Sequence, residues 1–191
     1  MGNNHHYGGI SKEEKQENKI LFLGRVAPIK NLEIVLKAMA KIEKFNFEIV
    51  GPAEEEYKAK LLSLIKEQGV ENKIKFNPAI FDTKEKIKKL DTCRVFILPS
   101  LSEGMPQALV EAMAREKIVV ASDCSGNKDL VKDKENGYIF KTHDAEDLVR
   151  VLKEALKDSK ENDKIRKSAK VFVAQFSWDK IIDKMEKMIK S

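Results

Sequence analysis

Residues 98–114 read Leu98-Pro99-Ser100-Leu101-Ser102-Glu103-Gly104-Met105-Pro106-Gln107-Ala108-Leu109-Val110-Glu111-Ala112-Met113-Ala114. The stretch begins as the end of an apolar run, crosses a loop of small residues and enters a strong helix former at Pro106. Proline suits the first helical position, because its φ is already helical and its missing N–H would be unpaired there. Gly104 lets the backbone turn tightly or approach a ligand closely. Glu103 lies in the loop and Glu111 inside the helix. A helix N-terminus at the end of a strand is a ready site for an anion.

Working outward, the same strand-then-helix pattern repeats. Ile20-Leu21-Phe22-Leu23-Gly24 is a short apolar run ending in glycine, as in a strand buried on both faces, and a helix follows from Leu32 to Lys44. Phe47–Gly51 is the next strand, Pro52 opens a helix reaching Gly69, and Ile74–Phe76 is a third strand. Asp82 caps a helix through Asp91, and Arg94–Pro99 is the fourth strand, leading into the quoted stretch. Ile118–Ser122, a short helix over Lys128–Val131, the turn Asn136-Gly137 and Tyr138–Phe140 continue the alternation, and Asp144 caps a helix to Leu156. Strands alternating with helices predict βαβ units: an α/β, Rossmann-like, doubly wound parallel sheet of about six strands. Gly24, Gly51, Pro78, Pro99 and Ser122 all follow strand ends, so one edge of the sheet collects the permissive residues. That edge is where such sheets bind ligands.

Outside the sheet, residues 1–18 read as a polar tail, 19–158 as the domain and 159–191 as a helical extension with helices over Lys164–Gln175 and Trp178–Ile189. The last of these, capped by Ser177, carries a stripe of Ile181, Ile182, Met185, Met188 and Ile189, which predicts some self-association. The 36 basic residues are interleaved with 31 acidic ones, as in Lys132-Asp133-Lys134-Glu135, so no basic stripe points to nucleic acid. Cys93 and Cys124 make neither a disulfide framework nor a metal motif, and a terminal His5-His6 pair lacks the further ligands a metal needs. Residues 1–19 hold no apolar signal core, and no run approaches the ~20 apolar residues of a membrane span. The expected location is cytoplasmic.

Glu103 and Glu111, with seven residues between them inside "PSLSEGMPQALVEAMA", resemble the signature of retaining family 4 glycosyltransferases of the GT-B type. "LFLGRVAPIKN" is similar to that family's strand and Gly-Arg–Lys loop, "FEIVGPA" to its second strand and "NGYIFKTHDAEDLVRVLKEAL" to its closing segment, so the resemblance runs over residues 19–190. It implies the C-terminal, donor-binding domain only. A nucleoside diphosphate sugar would be held here, an N-terminal acceptor domain would lie outside this chain, and the chain alone would transfer little sugar. By the same resemblance Glu111 binds the ribose hydroxyls and Glu103 the donor sugar. Arg25 and Lys30, after Gly24, clamp the diphosphate and stabilise charge on the leaving phosphate, with no metal or other cofactor. Backbone N–H groups around Gly104, Met105, Gln107 and Ala108 assist, and the loop holding Pro78 and Ile80 meets the base. Any membrane association would come only through a lipid-linked acceptor.

The sequence departs from the family pattern in two places. Pro106 stands where glycine is frequent, which removes one N–H, and Asn31 follows Lys30 where glycine is usual. Plainer roles remain open beside these. Glu103 could merely offset the helix dipole, Glu111 could pair with Arg115 one turn on, and Arg25 and Lys30 could be surface charges. A non-catalytic nucleotide-sugar-binding or regulatory module would use the same residues, and an unrelated doubly wound domain is the third reading.

Overall fold

The apolar runs find the setting their composition demands. In the computed structural model, which describes residues 18–176, Ile20, Leu21 and Phe22 are fully buried in strand β1 (Lys19–Leu23). β2 (Asn46–Val50) and β3 (Ile74–Asn77) lie to one side of β1, and β4 (Val95–Leu98), β5 (Ile118–Ser122) and β6 (Tyr138–Phe140) to the other. The order is β3-β2-β1-β4-β5-β6 and every pairing is parallel. The chain therefore winds outward from β1 in one direction, crosses back, and winds outward again from β4. The crevice between the ends of β1 and β4 is the reversal point at which doubly wound sheets hold their ligands.

Helices α1 (Leu32–Met39) and α2 (Glu55–Glu67) pack together, and α6 (Ala145–Ala155) lies against α1. Helix α4 (Gln107–Ala114) packs instead with α7 (Lys160–Val173). The core is one cluster running through both layers and the sheet. Helix α3 (Thr83–Thr92) differs from the rest: Leu90 is its one buried residue. It is fastened by ion pairs instead, Lys86 to Glu111, Lys89 to Glu48, and Asp91 to Arg115.

Several boundaries differ from the sequence expectation, each for a local reason. Pro106 is not the first residue of α4 but its cap, with ψ at 89°, and its carbonyl accepts from the N–H groups of Leu109 (3.0 Å) and Val110 (3.3 Å). Helix α1 stops at Met39 rather than Lys44 because its end tightens, Lys41 N–H bonding the Ala38 carbonyl at 2.9 Å. Helix α5 (Ser125–Leu130) begins ahead of Lys128, on the Cys124 carbonyl, which accepts from the Asn127 and Lys128 N–H groups. Helix α7 begins at Lys160, not Lys164, because the Ser159 hydroxyl accepts from Asn162 N–H at 3.1 Å. Asp82 and Asp144 cap α3 and α6 as their positions predict. The expected tail and the helix Trp178–Ile189 lie outside the described residues.

Candidate functional site

The loop after β1 and the loop after β4 are joined at the crevice. The first turns through a short 3-10 segment, Pro28–Lys30, and its Ile29 carbonyl accepts from Leu101 N–H at 2.9 Å. That contact brings Lys30 to Glu103. The ammonium lies 2.6 Å from Glu103 Oε1, with both side chains largely buried, at 18% and 11% exposure. Ser100, fully buried, donates its hydroxyl to the same oxygen at 2.5 Å. Two residues 73 positions apart thus form one charged contact at the mouth of the sheet.

The residue after Lys30 makes this placement possible. Asn31 adopts the left-handed region (φ 50°), which asparagine tolerates far better than a β-branched residue would. Its side-chain amide donates to the Thr142 carbonyl at 3.1 Å, tying the loop to the segment after β6. Thr142 in turn donates its N–H (3.0 Å) and hydroxyl to Asp123, and the hydroxyl contact above all holds that carboxyl below its usual range. The left-handed turn is thus what the usual glycine would supply there.

The remaining expected residues take separate positions. Glu111 lies in the second turn of α4, and its carboxylate meets Lys86 of α3 at 2.6 Å. The alternative pairing with Arg115 is not what forms, because Arg115 makes a two-pronged contact with Asp91 (2.8 and 2.6 Å). Arg25 is not drawn to the Lys30–Glu103 contact: its exposed guanidinium lies 3.4 Å from Glu54. Gly24 donates its N–H to the Val50 carbonyl at 3.0 Å, prolonging the sheet. Gly51 beside it must be glycine, since a Cβ there would lie 1.9 Å from the Gly24 oxygen. Gly104, Met105 and Gln107 are exposed, Pro106 is buried and Ala108 is half-buried against the core. Pro78 and Ile80 lie in the loop after β3, at the outer edge of the sheet, and that loop leads into α3 and so to Lys86.

Residues to which the sequence assigned no role also build the corner. Ser100, Ser122 and Asn127 are fully buried polar residues at the ends of β4 and β5 and in α5. Gly126 lets α5 press on the loop, for a Cβ there would lie 2.2 Å from the Glu103 carbonyl oxygen. The position of Ser122 at a strand end was the available signal; Lys86, one of many lysines on its helix, offered none. Cys93 is buried and its thiol is pushed up to about 12 by that burial, so it has no reactive character. Among the described residues no group of His, Cys, Asp and Glu could hold a metal ion, and no helix is long and apolar enough to cross a membrane.

A parallel sheet wound outward in both directions from β1 and β4 defines a Rossmann-like α/β class of domain. Comparison with known proteins makes the class specific. The family model for glycosyl transferases group 1 matches residues 8–172, and the chain belongs to that family. It is 34% identical over 148 residues to an uncharacterized glycosyltransferase of Haemophilus influenzae, spanning 74% of this chain and 40% of that protein. The Anabaena protein Alr3699/HepE, solved with UDP and glucose, superposes with a TM-score of 0.83 at 22% identity, over 92% of this chain and 48% of that one. The C-terminal domain of the group 1 protein LpcC from Francisella tularensis superposes with a TM-score of 0.74 at 23% identity, over 82% of this chain and 84% of that one. The fold is thus the Rossmann-like unit of GT-B glycosyltransferases, and the chain spans half or less of the curated relatives first matched.

Proposed function

We propose that this chain is the donor-binding domain of a retaining, family 4-type glycosyltransferase, which takes the sugar of a nucleoside diphosphate sugar to a hydroxyl acceptor. The observation that carries the reading is the Lys30–Glu103 contact at the reversal point, with Glu111 set behind it on α4. A carboxylate that accepts from sugar hydroxyls and an ammonium that meets phosphate are the two groups a nucleotide sugar needs at its reacting end. That UDP and glucose occupy the Anabaena neighbour supports the same ligand class here.

In this reading Lys30 neutralises the charge that builds on the departing phosphate, and Arg25 turns inward from its weak contact with Glu54 to share that work. Glu111 exchanges Lys86 for the ribose hydroxyls. The loop of Pro78 and Ile80 borders the base. The N–H groups of Gly104, Met105, Gln107 and Ala108 serve as backbone donors to the ligand, and Pro106 contributes none. No metal is required for charge neutralisation on this account.

The acceptor side belongs to a separate folded unit. Ile29 and Leu101, at 38% and 40% exposure, and Met105, at 78%, are exposed apolar residues on the two loops that carry Lys30 and Glu103. Exposed apolar side chains clustered on these loops suit a facing protein surface better than water. The isolated chain accordingly binds nucleotide and transfers little or no sugar, and robust transfer to a simple acceptor would contradict it.

Calorimetric titration of the chain with UDP, GDP and ADP tests the donor reading. One of the three should bind. Glu111→Ala should weaken that nucleotide about 10- to 100-fold, the range expected for hydrogen bonds to a charged group. Undiminished affinity in Glu111→Ala would remove the ribose assignment.

A further inference from the structure

The Glu103 carboxylate is held more carefully than an ion pair alone would hold it. Lysine is a point charge on a flexible stem, so Lys30 can neutralise a carboxylate without fixing its orientation. Ser100 is different. It is fully buried, it stands three residues before Glu103 on the same loop, and its hydroxyl reaches Oε1 at 2.5 Å. An ionised carboxylate only accepts, so the hydroxyl proton must lie on the serine side of this contact.

Behind Ser100 stands a second tier whose proton directions are also forced. The Ser122 hydroxyl donates to the Ser100 carbonyl at 2.5 Å. Being thereby committed as a donor, it accepts from the Asn127 side-chain amide at 2.9 Å. The same amide nitrogen faces the Ser122 carbonyl (3.2 Å) and, more distantly, the Leu98 carbonyl (3.4 Å). Oxygens surround that end of the side chain, so it must be the nitrogen end. Its other end, Asn127 Oδ1, is then left buried without a partner among the described residues. An unpaired buried acceptor costs stability that an apolar residue of similar size would not. The corner accepts that cost and gains a backbone locked between β4, β5 and α5. Gly126 closes the loop from the other side, its α-carbon against the Glu103 carbonyl.

Both donors meet Glu103 at one oxygen, Oε1. Oε2 has no hydrogen-bond partner among the described residues and keeps its accepting capacity. We propose that Ser100 is a positioning residue for Glu103: it pins Oε1 and so presents Oε2 to the hydroxyls of the donor sugar, while Ser122 and Asn127 hold the Ser100 backbone in place. This rests on the reading of Glu103 as the sugar's ligand. A positioning residue of this kind acts on the sugar and not on the nucleotide, which separates it from a residue that merely stabilises the fold.

The experiment compares wild type, Ser100→Ala and Ser122→Ala by calorimetry, with UDP, GDP and ADP and with UDP-glucose, GDP-mannose and ADP-glucose. Ser100→Ala should keep the affinity for the nucleoside diphosphate within twofold and lose about tenfold for its sugar form, the scale of one hydrogen bond to a charged group. Ser122→Ala, one step removed, should show the same selective loss at about threefold. A loss shared equally by nucleotide and nucleotide sugar, or no loss in either variant, overturns the proposal and leaves the nucleotide site standing. So does a wild type that binds a nucleoside diphosphate but none of the sugar forms. A wild type that binds none of the six ligands overturns the donor reading itself, and the proposal with it.

Discussion

Two glutamates in this molecule are buried to nearly the same degree but differ in how their oxygens are occupied. Glu48 lies on β2 and Glu103 on the loop after β4; their side chains are 6% and 11% exposed, and each meets a lysine. Glu48 has partners at both oxygens: Lys89 and the Asn77 amide at Oε1, the latter at 2.8 Å, and Lys19 at Oε2, 3.1 Å away. Glu103 has Lys30 and Ser100 at Oε1 alone. A carboxylate with both oxygens taken is a strut between β2, β3 and α3. One with an oxygen to spare, on a loop at the sheet's ligand-binding edge, can serve a substrate. Burial and charge do not distinguish the two; the distribution of donors does.

The sharpest way to break this comparison is to truncate both. Glu48→Ala leaves two lysines without their carboxylate, and removing one partner of a buried pair costs about 3 kcal/mol. Urea unfolding should record that loss while nucleotide affinity stays unchanged. Glu103→Ala should cost less, because it frees one lysine and one hydroxyl where Glu48→Ala frees two lysines and an amide. Equal losses from the two substitutions would mean that Glu103 is a strut as well.

The same contrast explains what the sequence made legible. The six strands and their order of alternation with helices were readable because continuous apolar runs such as Ile20–Leu23 and Val95–Leu98 have no other stable setting. The motif resemblance placed Glu103 and Lys30 on loops at one edge of that sheet, but the ion pair between them is a finding of the structure alone. The role of Glu48 was not legible either, because one charged residue inside "FEIV" breaks the strand pattern without naming its partners, which arrive from β1 and α3. Nor did the sequence show that Glu111 would face Lys86 instead of Arg115. Helical spacing puts Arg115 within reach, but Asp91 competes for it with a two-pronged geometry that only the fold brings close. The boundary errors share that origin: Pro106 reads as a first helical residue until its ψ is known.

A medium-sized effect should appear on acidification. Burial alone would raise the Glu48 carboxyl, but the hydrogen bonds from Lys89 and Lys19 outweigh it and hold the group below its ordinary value. Glu33, held by Lys60 and Tyr57 against the same burial penalty, and Asp147, held by the Lys141 N–H and Arg150, shift the same way. A depressed folded pKa contributes stability that is fully present above the unfolded value, near ~4, and is lost as pH falls through the folded one. Melting temperature should therefore hold steady from neutral pH to about 5 and drop below ~4. Glu48→Gln should start lower and flatten that drop. A Glu48→Gln profile parallel to wild type would place the acid-sensitive contacts elsewhere.

The smallest effect on stability, and the finest test of the site, falls on Arg25. Lys30 is already in contact with Glu103, whereas Arg25 is 63% exposed and only 3.4 Å from a half-exposed Glu54. An exposed pair of this kind contributes about 0–1 kcal/mol, so Arg25→Ala should leave the unfolding midpoint almost unchanged. If the guanidinium turns in to meet a diphosphate, the substitution should still weaken nucleotide binding by about threefold to tenfold at low salt. Salt separates the two cations further. A contact made from an exposed position is screened within a Debye length of about 8–10 Å near physiological ionic strength, while a largely buried one is screened much less. Removing Arg25 should therefore flatten the salt dependence of nucleotide affinity, and removing Lys30 should lower affinity at every salt concentration. Matching salt profiles for the two variants would make them equivalent phosphate contacts and end the distinction between a prepared cation and a recruited one.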